Sequence, residues 1–427
     1  MILICFTSLI LFTISYSLNK TILNPITFFI LYWTLQFILV LVLIPGNVNL
    51  YFGGYFYIIG VFIIIISGDL IIKYYVKKSN VNINKLETQK ILIKFKYLKS
   101  VTIISVMLGI LYSVVRLKET GGNIDSIFNL NQLAQITNYI SVERYIGVAT
   151  HSIFSQILLI FIYLSPCFGA IIATFKPFKQ YKFYIFATFI PSILTCLVQS
   201  TRSVILSVLC LFLAVYIGFN LLIKGKKFKL INLKTCLILI LGIIGFIYFF
   251  VFLQLLRGGV ISLNKSFMDD DMIRRLKIYI IGHVVAFSTW FDNYQNTKLS
   301  LGAYTFSSIF NILGLQVKKT GLYSEYVYLF GTSGTNIYTY FRGFIQDFGA
   351  ITSYIIFFIF SIISSLAYNK VILKNTNWII TIIITYTSLL FFPSSFFNYT
   401  THVLTIIIFS IYILFEAKVI KINKSCN

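Results

Sequence analysis

Seven arginines carry the chemistry that can be read from this sequence: Arg116, Arg144, Arg202, Arg257, Arg274, Arg275 and Arg342. A guanidinium group is planar and always charged, and it grips phosphate or carboxylate through two parallel N–H bonds, which a lysine ammonium cannot do. Laid against the apolar spans described below, the connecting loops alternate in charge. One side carries 22 Lys and no Arg; the other carries six Lys and all seven Arg. The tendency of basic residues to remain on the cytoplasmic side treats Lys and Arg alike. Scattering seven Arg over 35 basic positions would give this split about once in four thousand trials, so charge-driven orientation does not account for it. The pattern points to a site for an anionic, phosphate-bearing substrate on the side opposite the lysines.

Four of these arginines fall at or near span ends: Arg116, Arg202, Arg257 and Arg342. Arg202 lies in the tight corner Gln199-Ser200-Thr201-Arg202-Ser203, and Arg257 precedes Gly258-Gly259, where a ligand can come close to the backbone. The competing reading is that each guanidinium snorkels to anchor a helix end, a task lysine would perform equally well. The stretch Gly331-Thr332-Ser333-Gly334-Thr335-Asn336-Ile337-Tyr338-Thr339-Tyr340-Phe341-Arg342 leads into Gly343-Phe344-Ile345-Gln346-Asp347-Phe348-Gly349 and an apolar span. Thr335 or Asn336 is expected to cap a helix there, and the free N–H groups of a helix start favour an anion. Arg342 and Asp347 would then lie on different faces of it.

Other polar residues admit two readings each. Asp269-Asp270-Asp271 invites a metal, but helical spacing sets Asp270 against Arg274 and Asp271 against Arg275, which makes a solvated ion-pair patch. His283 is a candidate general base or diphosphate contact, or else a structural histidine. Glu143, Asp292, Glu325 and Asp347 are the further carboxylates that could deprotonate a hydroxyl on the arginine side. Asp69, one turn from Lys73, reads as a snorkelling pair near the lysine side.

These residues must be positioned by membrane helices. Of the 427 residues, 58% are hydrophobic and 11% charged, with a mean hydropathy of +0.89; a soluble domain would carry roughly a quarter charged residues. The fold class expected is an all-α polytopic integral membrane protein, one transmembrane domain over 1–427, with about 11 spans. They run over 1–18, 23–44, 55–76, 98–116, 152–175, 182–198, 203–223, 234–255, 345–368, 377–392 and 401–418. The first span has neither a basic leader nor a small-residue cleavage site and reads as retained. The N-terminus is then outside and the C-terminus cytoplasmic. Two large outer loops follow, 117–151 and 256–344; loops of such length are usually functional. Within the second, 278–291 and 301–315 are apolar but too short to span, and fit amphipathic helices on the interface or a re-entrant segment. The net charge of +23 lies in short loops beside apolar spans, where it orients the protein and meets anionic lipid, without the interleaved aromatics of a nucleic-acid face. Cys5, Cys167, Cys196, Cys210, Cys236 and Cys426 show no paired spacing and no nearby His, so neither a disulfide framework nor a zinc site is expected.

The Thr335-Asn336-Ile337-Tyr338-Thr339 run, with Arg342 and Asp347-Phe348-Gly349 after it, resembles a pattern of the oligosaccharide repeat-unit polymerases, the Wzy or O-antigen polymerase group. The Thr201-Arg202-Ser203 corner, the Leu301-Gly302-Ala303-Tyr304-Thr305-Phe306 stretch and Gly121-Gly122 are similar to features of that group. The paired Arg-x10-Gly motifs of some members are missing, since Arg257 is followed at the matching position by Met268. The resemblance implies an enzyme on the outer face of a bacterial cytoplasmic membrane. It would move a growing glycan from undecaprenyl diphosphate to the terminal sugar of a new lipid-linked repeat unit. Arg202, Arg257, Arg342 and His283 would be catalytic, and Arg116, Asn336, Tyr338 and Asp347 would bind substrate. No metal or other cofactor is then required. A chain-length regulator and a flippase of the same pathway would be partners. The alternatives are a lipid-linked oligosaccharide flippase, an O-antigen ligase-type glycosyltransferase, and a non-enzymatic scaffold of the assembly complex.

Overall fold

A computed structural model describes residues 1–44, 50–78, 89–93, 95–146, 152–228, 233–258, 270–295, 298–315, 323–330, 333–391 and 395–421; for 89–93, 95–96, 144–146, 233–241, 243, 330 and 416–421 only the backbone is described. Gly259, Met268, Asp269, Gly331, Thr332 and Cys426, and the side chains of Arg144 and Cys236, lie outside this description.

The chain is a helical multi-pass membrane protein. Its helices are α1 (Ile2–Asn19), α2 (Pro25–Leu43), α3 (Gly53–Lys78), α4 (Phe95–Glu119), α5 (Leu130–Ile146), α6 (Ile153–Phe175), α7 (Phe178–Ala187) and α8 (Ile190–Gln199). They continue with α9 (Arg202–Lys224), α10 (Leu233–Arg257), α11 (Asp270–Asp292), α12 (Ser307–Ile312), α13 (Tyr340–Phe348), α14 (Ala350–Ile372), α15 (Ile379–Leu390) and α16 (Thr400–Glu416). Eight helical stretches among the described residues are long and apolar enough to cross a membrane: α1, α2, α3, α4, α6, α7 with α8, α9 and α14. Of the remaining expected spans, 234–255 falls within α10, and 377–392 and 401–418 coincide with shorter apolar helices. Two antiparallel ribbons complete the secondary structure: β1 (Gln89–Ile93) with β4 (Ala417–Lys421), and β2 (Val327–Phe330) with β3 (Ser333–Thr335).

Helix ends follow local chemistry. Asn24 caps α2 by accepting from Ile26 N–H at 2.9 Å, with Pro25 in the first turn, where no N–H is missed. Gly121, at φ +77°, closes the end of α4, so the Gly121-Gly122 pair is a helix stop. Two expected spans are subdivided. The span at 182–198 is broken between α7 and α8, where Pro191 in the first turn of α8 cannot continue the preceding helix. The span at 345–368 starts only at Ala350, because Gly349 at φ +83° separates α13 from α14.

At the lysine end Asp69 is 1% exposed and pairs with Lys73 at 2.8 Å; it also accepts from Asn19 of α1 at 3.0 Å and Ser365 of α14 at 2.7 Å. It therefore ties three helices together, a larger task than snorkelling.

Described parts of 256–344 pack against the apolar helices. Helix α11 packs against α2 and α3, burying residues from Ile281 to Ser288. Helix α13 follows it: Trp33 Nε1 donates to Tyr340 Oη at 3.3 Å, and Phe341 is closed in by Phe29, Trp33, Tyr57, Phe287 and Phe357. Trp33 lies ten residues inside the Leu43 end of α2, about 15 Å along its axis. Of the apolar stretches at 278–291 and 301–315, the first lies within α11, and the second contains α12. The close fit relies on Gly54, where a Cβ would come within 2.5 Å of the Ser288 backbone. Gly54→Ala is expected to lower stability by about 1–3 kcal/mol through overpacking, seen as a lower melting temperature in detergent.

Candidate functional site

The site is built on α13 and the face of α11 beside it. Helix α13 does not start at Thr335 or Asn336. Thr335 ends β3 and accepts from the Ile337 N–H, Asn336 donates to the Tyr323 carbonyl at 3.0 Å, and α13 begins at Tyr340 behind Thr339. The β2–β3 ribbon uses the Ser-Gly-Thr residues first, because Gly334 packs where a Cβ would meet the Val327 carbonyl at 2.6 Å. The helix start is thereby delayed by one turn.

Arg342 is the centre of the arrangement. Its side chain is 2% exposed and its guanidinium carbon lies 3.8 Å from the Tyr323 ring centre, 4.1 Å from Tyr338 and 4.9 Å from Trp290. Three aromatic faces fix a cation through their quadrupoles. Nη2 pairs with the Glu325 carboxylate, whereas Nε and Nη1 are buried with no hydrogen-bond partner. Thr305 Oγ1 and Thr339 Oγ1 are likewise buried and unpartnered. Burial raises the Tyr323 phenol well above its ordinary value, with Arg342 opposing, so the ring stays neutral.

Asp347 holds this helix in place. It is fully buried and accepts from the backbone N–H of Tyr304 at 2.9 Å and of Thr305 at 2.5 Å. The Ser300 and Leu301 N–H groups donate to the Gln346 and Asp347 carbonyls. Asp347 thus fastens the Leu301-Gly302-Ala303-Tyr304 turn to α13. Tyr338 donates its hydroxyl to the Glu325 carbonyl at 3.0 Å, and with Asn336 it latches the Tyr323-to-Glu325 stretch onto the site.

Arg202 and Arg257 occupy a second station. Arg202, at the start of α9, stacks on Phe250 at 4.1 Å, lies 5.7 Å from the Tyr279 ring centre, and donates to Gln254 Oε1. Arg257, one turn after Gln254 on α10, donates from Nε to Ser141 Oγ at 2.7 Å, while Asn138 donates to its carbonyl. Helix α5 of the 117–151 loop thus braces the end of α10. Tyr279 and Trp290 are eleven residues apart on α11, so they share a face to within about 20° and are separated by about 16 Å. The three arginines expected to hold one diphosphate are therefore arranged as two stations along α11. Arg116 is 2% exposed, pairs with Glu119 at 2.8 Å, and Glu119 in turn accepts from Ser152; this anchors the end of α4. Arg274 pairs with Asp271 at 3.7 Å, one residue closer than the i,i+4 spacing anticipated, and both are exposed as expected.

His283 lies on the same α11 face between the stations, with its ring 6.3 Å from Trp33. Burial pushes its imidazole down to about 3, which leaves it neutral and a weak base for proton transfer near pH 7. The aromatic residues Trp290, Tyr323, Tyr279 and Phe250, and the amide of Gln254, are absent from the sequence-based assignment. With 43 Phe and 29 Tyr in the chain, no single ring stands out. The one available signal is the spacing of Tyr279, His283 and Trp290 on one helix face. No protein-family model, curated protein or solved structure matches this chain, so the site is read from its own geometry.

Proposed function

We propose that this chain is a membrane glycosyltransferase that lengthens a glycan carried on a lipid diphosphate, acting at its arginine-bearing face. The carrying observation is Arg342: a buried guanidinium, walled by three aromatic rings, with two N–H-bearing nitrogens left unpartnered. Such a group suits a leaving diphosphate. As the bond from the anomeric carbon to the diphosphate oxygen breaks, negative charge grows on that oxygen, and a fixed guanidinium in a dry site stabilises it without reorganisation. The acceptor hydroxyl oxygen forms the new bond to the anomeric carbon, and its proton passes to a carboxylate or to water. Trp290, Tyr323 and Tyr338 offer apolar faces to sugar rings. A polymerase handles two lipid-diphosphate substrates, donor and acceptor, and two arginine stations on one helix give each a partner.

The resemblance to the repeat-unit polymerases favours undecaprenyl diphosphate as the carrier and a bacterial cytoplasmic membrane as the location. It also favours a flippase and a chain-length regulator as partners, while hydropathy and the lysine distribution favour about eleven crossings with the N-terminus outside. The test is the banding of surface glycan in a deletion strain. One repeat unit per acceptor supports polymerisation. Polymer of normal length that is no longer attached to its acceptor indicates a ligase, and repeat units trapped in the inner leaflet indicate a flippase. Arg202→Lys, which keeps charge but loses the planar stack on Phe250, is expected to shorten chains and lower the extension rate about tenfold, measured by the length distribution of labelled glycan.

A further inference from the structure

We propose that Glu325 is a displaceable counter-ion built into the Arg342 site. It holds one edge of the guanidinium when the site is empty and yields that edge to an incoming diphosphate ester. The ligand class rests on the functional reading above; the displacement does not.

The two partners of the ion pair are unequally placed. The Arg342 side chain is 2% exposed and the Glu325 side chain 61%. A carboxylate that is already largely hydrated leaves its partner at little cost. Arg342 is held by Tyr323, Tyr338 and Trp290. Glu325 moreover satisfies only Nη2. A buried guanidinium with Nε and Nη1 unpartnered carries a desolvation cost that more acceptor oxygen would remove. A diphosphate supplies those oxygens.

The backbone around Glu325 is fastened separately. Asn336 holds the Tyr323 carbonyl and Tyr338 holds the Glu325 carbonyl. Displacement therefore begins with rotation of the Glu325 side chain, which frees the Nη2 edge of the guanidinium. The carboxylate also acts as a filter: a weakly charged or singly bonded anion gains too little from Arg342 to evict it.

The experiment is calorimetric titration of inorganic pyrophosphate into the purified full-length protein in detergent micelles, with melting temperatures as folding controls. Glu325→Gln is expected to bind pyrophosphate about five- to tenfold more tightly than wild type, and Arg342→Gln to lose binding. Arg342→Lys is expected to retain weak binding. Unchanged or weaker affinity in Glu325→Gln overturns the displacement, and full affinity in Arg342→Gln overturns the site. Orthophosphate binding as tightly as pyrophosphate overturns the diphosphate assignment. A micelle-borne prenyl diphosphate run in parallel identifies the lipid-borne source if it binds more tightly, and a soluble diphosphate if it does not. A wild-type protein that extends glycan yet fails to bind pyrophosphate sinks this inference and leaves the polymerase reading standing. Pyrophosphate binding with normal glycan length in the deletion strain does the reverse.

Discussion

Arg342→Lys is expected to slow glycan extension about 100- to 1000-fold, the usual penalty for removing one preorganised donor from a developing anion, while membrane-inserted protein stays at its normal level. The reason for a large effect from a charge-conserving change is geometric. Lysine keeps the positive charge but presents a compact ammonium in place of a planar fork. It cannot stack between Tyr323, Tyr338 and Trp290, and it offers no counterpart to Nε and Nη1 at the positions where they stand. The measurement is the extension rate on lipid-linked repeat units in membranes of matched protein content. A rate within a factor of three of wild type would remove Arg342 from the chemistry.

Asp347→Ala has an equally large effect of a different kind. The carboxylate is fully buried and accepts from two successive backbone N–H groups, of Tyr304 and Thr305. Each hydrogen bond to a charged group contributes about 1.5–3 kcal/mol, so losing both and leaving the two donors buried lowers stability by roughly 3 kcal/mol or more. The turn at Leu301 to Tyr304 then loses its fastening to α13, and the whole inserted arm loosens. The expected outcome is a fall in folded protein and in melting temperature, with extension lost in proportion. A variant that melts normally but binds substrate poorly would instead assign Asp347 to substrate. The two substitutions, five residues apart on one short helix, thus separate chemistry from architecture: one spares the fold and removes the rate, the other removes the fold.

The packing around α11 and α13 is the reason both residues are expected to be sensitive. Residues 256–344 look like an outer loop by hydropathy because Arg274, Arg275, Asp271 and Arg342 dilute their apolar character. In the structure α11 and α13 reach beside the middle of α2, where Trp33, Phe341 and Phe287 pack together. Several buried polar groups there are held by a partner: Tyr340 by Trp33, Asp347 by the turn, Arg342 by rings and Glu325.

The sequence by itself determined the solvent of this protein and the two ends of it. Hydropathy is a sum over residues and needs no partner, so the apolar spans could be read directly, and the segregation of Arg from Lys could be counted. It also singled out Arg342, because an arginine among Gly, Thr and Asn before an apolar run is locally unusual. Only the tertiary structure decided what each polar residue does. Asp347 turned out to fasten a turn, Asn336 and Tyr338 to latch the Glu325 stretch, and Arg116 to anchor a helix end, since these bonds join residues from 3 to 43 positions apart. The division of Arg202 and Arg342 into separate stations depends on where α11 runs between them, and the aromatic walls were hidden among many identical rings. Local composition fixes which residues meet lipid; which guanidinium keeps free donors in a dry site follows from packing between distant segments.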